Sequence, residues 1–182
     1  MLTKSLLICV AMWLTTASAQ AANLTVIVLG LRSDAGELLI GVYDSSEAFR
    51  SAIADSATKS ALLPEKWRLA GASLRARPGS QTITFGELPP GHYAIIAFHD
   101  ENDNGVLDEN VMGVPSEGYG FSNDAQGFLS APSFGAATIT LRNADENIIA
   151  SISLIYPPAL SAEDKKEFDQ FMRSSQAPYY PP

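Results

Sequence analysis

From Leu24 to Leu31 apolar residues recur at every second position, with Leu24, Val26 and Val28 on one face and Thr25 and Ile27 on the other. A period of two predicts a strand with one buried face. Ser33-Asp34-Ala35-Gly36 reads as a turn and Glu37 to Tyr43 as a second strand, so the pair predicts a hairpin. Ser45 to Phe49 is suited to begin a helical turn. The Ala- and Ser-rich stretch to Glu65 predicts a loop, with helix near Ser51 to Thr58. Further strands are predicted at Trp67 to Arg77, Gln81 to Glu87 and His92 to His99. Two more, Ala137 to Arg142 and Ile148 to Tyr156, predict a last hairpin around Asn143 to Asn147. Ala94 to Phe98 is almost continuously apolar, which suits a central strand buried on both faces. The seven predicted strands point to an all-β fold, a seven-stranded antiparallel β-sandwich of the immunoglobulin kind.

Two stretches break the pattern. Asp100 to Gly135 joins two strands with no evident element, and a connection of this length is usually functional or disordered. Leu107, Val111, Tyr119, Phe121, Phe128 and Phe134 give it enough apolar surface to be one long ordered loop. After Pro157-Pro158, Ser161 and Asp164 resemble a capping box, and Phe168, Phe171 and Met172 have helical spacing. That predicts a short C-terminal helix within a Pro-bounded tail, 157–182, following a β domain at 23–156.

Residues 1–22 read as a signal peptide. Lys4 precedes an apolar run from Ser5 to Leu14, and Ala17-Ser18-Ala19 offers small residues for cleavage, with a second cut available after Ala22. This predicts a bacterial periplasmic or secreted protein. The only cysteine, Cys9, leaves with that segment, so the remaining chain has neither disulfide nor thiol chemistry. The net charge of −8 and the scattered basic residues exclude a nucleic-acid surface. No later apolar stretch reaches membrane-spanning length, which predicts no stable membrane insertion once the signal is removed.

The acids converge in one place. Asp100-Glu101-Asn102-Asp103-Asn104-Gly105-Val106-Leu107-Asp108 sets oxygen-bearing side chains at alternate positions, then a glycine, then a carboxylate. That is the order of the first two-thirds of a calcium loop. Its metal ligands would be Asp100, Asn102, Asn104, the carbonyl of Val106, and Asp108. Val111 stands where a full loop carries a bidentate glutamate, and Glu117 or Asp124 would have to fold back to replace it. The alternative is an Asn/Asp/Gly turn that caps its own backbone. Oxygen ligands suit calcium, and the absence of cysteine disfavours zinc.

Three other features are candidates. Tyr119 and Phe121, flanked by Gly118 and Gly120 and followed by Asn123, would present rings to a glycan or peptide, or else plug the loop onto the sandwich. His99 with Asp100 and Glu117 could form an acid–base set, against a strand-end histidine with a local hydrogen bond. Ser122 has no identifiable base.

Several motifs resemble one known family. They are Phe85-Gly86-Glu87-Leu88-Pro89-Pro90-Gly91-His92-Tyr93-Ala94, then His99-Asp100-Glu101-Asn102 with Asn104-Gly105 and Leu107-Asp108, then Gly113-Val114-Pro115 with Glu117, Tyr119 to Asn123, and Pro132-Ser133-Phe134. In this order they resemble the bacterial secreted family called domain of unknown function 2141, over roughly Leu24 to Tyr156. The resemblance implies a transthyretin-like or carboxypeptidase-regulatory-like β-sandwich, and it carries over no catalytic residue. The resulting expectation is an exported, non-enzymatic binding or structural module, with calcium in the 100–108 loop. Its partner would be an unknown protein, peptide or glycan. The alternatives are a glycan- or peptide-binding module using residues 119–123, and a hydrolase around His99.

Overall fold

The computed structural model describes residues 22–56, 68–110, 113–127, 130–143 and 146–158, and the single positions 161, 163, 166 and 170. Among these, eight strands and one α-helix occur in the order β1 (Ala22–Leu31), β2 (Glu37–Tyr43), α1 (Ser46–Asp55), β3 (Ala70–Arg75), β4 (Gly79–Leu88), β5 (Gly91–Asp100), β6 (Gly118–Phe121), β7 (Ile139–Leu141) and β8 (Asn147–Ser153). One sheet has the order β4-β1-β8. The other runs β3-β2-β5-β6, with β7 also pairing β5.

The alternation in β1 does what period two requires. Leu24, Val26 and Val28 are fully buried, and their core is shared with Leu38, Ile40 and Val42 of β2 and Ile95 of β5. That core lies between the two sheets. Strand β5 is buried from Tyr93 to Asp100. Tyr93, Ile95 and Ala97 face the core between the sheets, while Ala94, Ile96 and Phe98 face a second core. Helix α1 covers that second face with Ala48, Phe49 and Ala52, and the Ser45 side chain caps it by accepting from the Ala48 amide at 3.3 Å.

The structure corrects the predicted architecture in five respects. Strands β1 and β2 do not form a hairpin but belong to different sheets. Both bury their apolar face in the same core, which two sheets facing each other allow and one flat hairpin does not. Strands β7 and β8 likewise part, since β7 pairs β5 while β8 runs parallel to β1. The pairing is therefore not wholly antiparallel. The eighth strand, β6, lies inside the stretch read as a loop, and α1 makes the chain mostly β rather than all β. Of the expected C-terminal helix, positions 163, 166 and 170 are helical. The rest of that expectation, the signal peptide up to residue 21, and Val111 lie outside the described residues.

The corner between β1 and β2 depends on Gly36. Its φ is +66°, and a Cβ there would run into the carbonyl of Asp100. Gly79 has φ +97° with open space around it. Replacing Gly79 with alanine should therefore cost only the left-handed backbone penalty, about 1 kcal/mol. Gly36→Ala adds a backbone collision and should cost roughly 3 kcal/mol. Urea unfolding of both variants checks this, and equal losses would mean the close approach to Asp100 is not what Gly36 provides.

Candidate functional site

Strand β5 ends on two polar residues. His99 is 0% exposed and Asp100 2%, so each must find protein partners in place of water. The Nε2 of His99 lies 2.7 Å from the Ala35 carbonyl, which can only accept, so Nε2 carries the proton. Its Nδ1 is hydrogen-bonded to the Tyr156 hydroxyl at 2.7 Å. Both ring nitrogens are thus spent inside the protein. Arg32 sits 4.3 Å over the Tyr156 ring and forms a two-pronged ion pair with Glu101, which also accepts from Ser33 Oγ at 3.0 Å. The Arg32 hydrogen bond holds the Glu101 carboxyl below its ordinary range.

The acidic loop is closed by its own side chains. Asp100 accepts from the amides of Asn104 at 3.1 Å and Gly105 at 2.6 Å. Asn102 and Asn104 each accept a backbone N–H two residues on, at 3.1 and 2.7 Å. Their NH2 groups both donate to Asp108, at 2.6 Å from Asn102 and 3.1 Å from Asn104. Val106 enters this set through its N–H rather than its carbonyl. The structure thus brings Asn102, Asn104 and Asp108 together and turns Asp100 onto the loop backbone. Among the described residues no group of three His, Cys, Asp or Glu is arranged to hold a metal.

Glu117 does fold back, but onto backbone. It is 4% exposed, and its two oxygens accept from the Glu101 amide at 2.8 Å and the Asp108 amide at 3.0 Å. One carboxylate therefore clamps both ends of the loop. Burial pushes its pKa up, while these two bonds oppose the shift. Asp124 goes elsewhere and accepts from the Ser153 amide at 2.7 Å.

Strand β6 carries Tyr119 and Phe121 to the outer face of β5. Phe121 is buried and meets Phe49 edge-on at 6.0 Å, so it belongs to the second core. Tyr119 is partly buried and bridges to Ile155 through two backbone hydrogen bonds, of 3.0 and 2.8 Å. Gly118 and Gly120 let that approach happen, because a side chain at Gly118 would strike the Tyr156 ring and one at Gly120 would meet Ser153 O at 2.8 Å. Asn123, with φ +61°, donates to Thr138 O at 2.9 Å. Ser122 is fully buried, accepting from Ile95 N and donating to Ala137 O.

Beside Tyr119 lies a groove of about 780 Å³. Its walls are α1 (Ala52, Ile53), β5 (Ile96, Phe98), the 107–115 segment (Leu107, Val114) and β6 (Tyr119, Phe121). Sequence reasoning found Tyr119 and Phe121 but not the groove, nor Arg32, Ser33 and Tyr156. The flanking glycines were the one local sign of it.

Glu117→Gln sets an NH2 group against one of two backbone donors, so it should cost about 2 kcal/mol at neutral pH. Glu101, with its depressed pKa, contributes stability that is fully present above the ordinary glutamate value, about 4.3, and is lost as pH falls through the lower folded value. Glu101→Gln should therefore flatten the acid limb of stability against pH. Chemical denaturation at a series of pH values measures both, and an unchanged acid limb would remove Glu101 from the account.

Among curated proteins and solved structures, none matches the chain. Residues 26–149 match the model of a family described as an uncharacterized protein conserved in bacteria, DUF2141. The match spans more than half of the 182 residues, and the chain belongs to that family.

Proposed function

We propose that this protein is an exported, non-enzymatic binding module that takes a small apolar ligand in the groove beside Tyr119. Its two sheets are read as a transthyretin-like sandwich serving as the rigid support. The observation that carries the reading is the groove itself. At about 780 Å³ it lies within the range of small-molecule sites, roughly 300–1,000 Å³, and like them is walled mainly by apolar side chains. The buried His99, with both nitrogens engaged, favours a structural role for that residue over a catalytic one. Export follows from the signal-like residues 1–22. Of the two cuts, the one after Ala19 fits better, because Ala22 begins β1 and is fully buried.

The uncharged dye Nile red should bind saturably and brighten on binding. Val114 is 39% exposed at the groove, so Val114→Trp should fill it and weaken dye binding at least tenfold with an unchanged Tm. Undiminished binding by that variant would sink the groove assignment.

A second reading keeps calcium in the 100–108 loop. What favours it is that both asparagine amides already converge on Asp108. Turning Asn102 and Asn104 so that their oxygens replace their NH2 groups would give a cation three side chains beside Asp100. Calcium at about 100 times Kd would then add about 2.7 kcal/mol to stability. The test is thermal unfolding in EDTA and then in millimolar calcium. A rise in Tm that magnesium does not reproduce, and that Asp108→Ala abolishes, is the expected result. No rise would leave the loop a self-capped turn.

A further inference from the structure

The groove is apolar in its walls but not neutral in charge. Two ionisable side chains among its described lining residues are carboxylates, Glu109 and Asp124, both on exposed residues. No Lys or Arg lines it among the described residues. They come from separate segments, the 107–115 excursion and the turn after β6, and Tyr119 stands in the same lining. Asp124 is held in place, since one of its oxygens accepts from the Ser153 amide. A carboxylate or phosphate head group entering here would meet like charge, on a chain that already carries −8. A cationic head group would find only opposite charge among the described ionised side chains of the lining, and an aromatic ring, Tyr119, whose face attracts ammonium groups.

Resting on the groove reading above, we infer that the ligand is a small cationic amphiphile: one apolar body seated against Ile53, Phe98 and Leu107, with an ammonium group toward Glu109 and Asp124. The volume sets the scale of the occupant. About 780 Å³ holds one drug-sized body, not the several turns of a docked helix. Charge sets its sign. Electrostatic attraction at a partly exposed rim is screened by salt, so the preference belongs to low ionic strength and the apolar seat does not.

The experiment is displacement of Nile red from the full mature protein by decyltrimethylammonium or by decyl sulfate, both below their micellar range, with Tm followed throughout. The two share one tail and differ in the sign of the head. The cation should displace the dye at a concentration at least tenfold lower, and 0.5 M NaCl should bring the two within about threefold of each other. In Glu109→Gln/Asp124→Asn the preference should fall to threefold or less while Nile red affinity holds. Asparagine at 124 retains an oxygen for the Ser153 amide, and Glu109→Gln alone should give an intermediate preference if the double variant loses stability. Asp34→Asn/Glu47→Gln removes the same charge away from the groove and should keep the tenfold preference. Equal displacement by the two surfactants overturns the inference, as does a preference that follows total charge in both double variants. Failure of Nile red to bind at all overturns the groove reading instead.

Discussion

Two buried polar residues at the end of β5 constrain everything around them. His99 and Asp100 emerge from a strand whose two faces serve two different cores, and water reaches neither. A buried polar group left unpaired costs about 1–3 kcal/mol, so the chain must bring partners from elsewhere. It brings Ala35 from the β1–β2 corner, Tyr156 from beyond β8, and the backbone of the loop that follows. Each partner ties a further segment to the end of β5. The corner must pass close enough to Asp100 that only glycine fits at position 36. The segment after β8 must cross β6 where Gly118 makes room for the Tyr156 ring.

The same demand organises the groove. Glu117 ties Glu101 to Asp108, so the acidic loop leaves β5 and returns to it at a fixed span. The amide of Leu107 then reaches Ser56 at the end of α1 at 2.9 Å. Loop and helix are thereby held apart at a set distance, and the space between them is the groove. A loop positioned by a rigid sheet is where binding residues commonly lie. Here the rigidity comes from carboxylates spent on backbone rather than from the sheet alone.

The strands were legible because alternation is a local signal. All seven predicted strands exist, and Ala94 to Phe98 announced its double burial through continuous apolarity. Alternation reports which face is buried but not which sheet a strand joins, so both predicted hairpins proved to be crossings between sheets. Strand β6 was hidden because Gly-Tyr-Gly-Phe carries its period in two rings and two hydrogens. The oxygen-rich order of residues 100–108 was visible, but a self-capped turn and a cation loop use the same residues. The partners of β5 were not legible at all. Arg32 meets Glu101 across 69 positions and His99 meets Tyr156 across 57. No spacing rule links residues that far apart.

The parallel pairing of β1 with β8 bears on the order in which the chain can fold. Strand β1 sits between β4 and β8, and Asn23 meets Asn147 across 124 positions. Contacts of such sequence separation require large loops to close before they stabilise anything, and they slow folding. A nascent chain lacking its last strand has one flank of β1 unpaired and the core between the sheets open. Closure of this sheet and of the core it covers must wait until the strand ending at Ser153 is present. Until then the first strand made is an exposed apolar edge in need of protection.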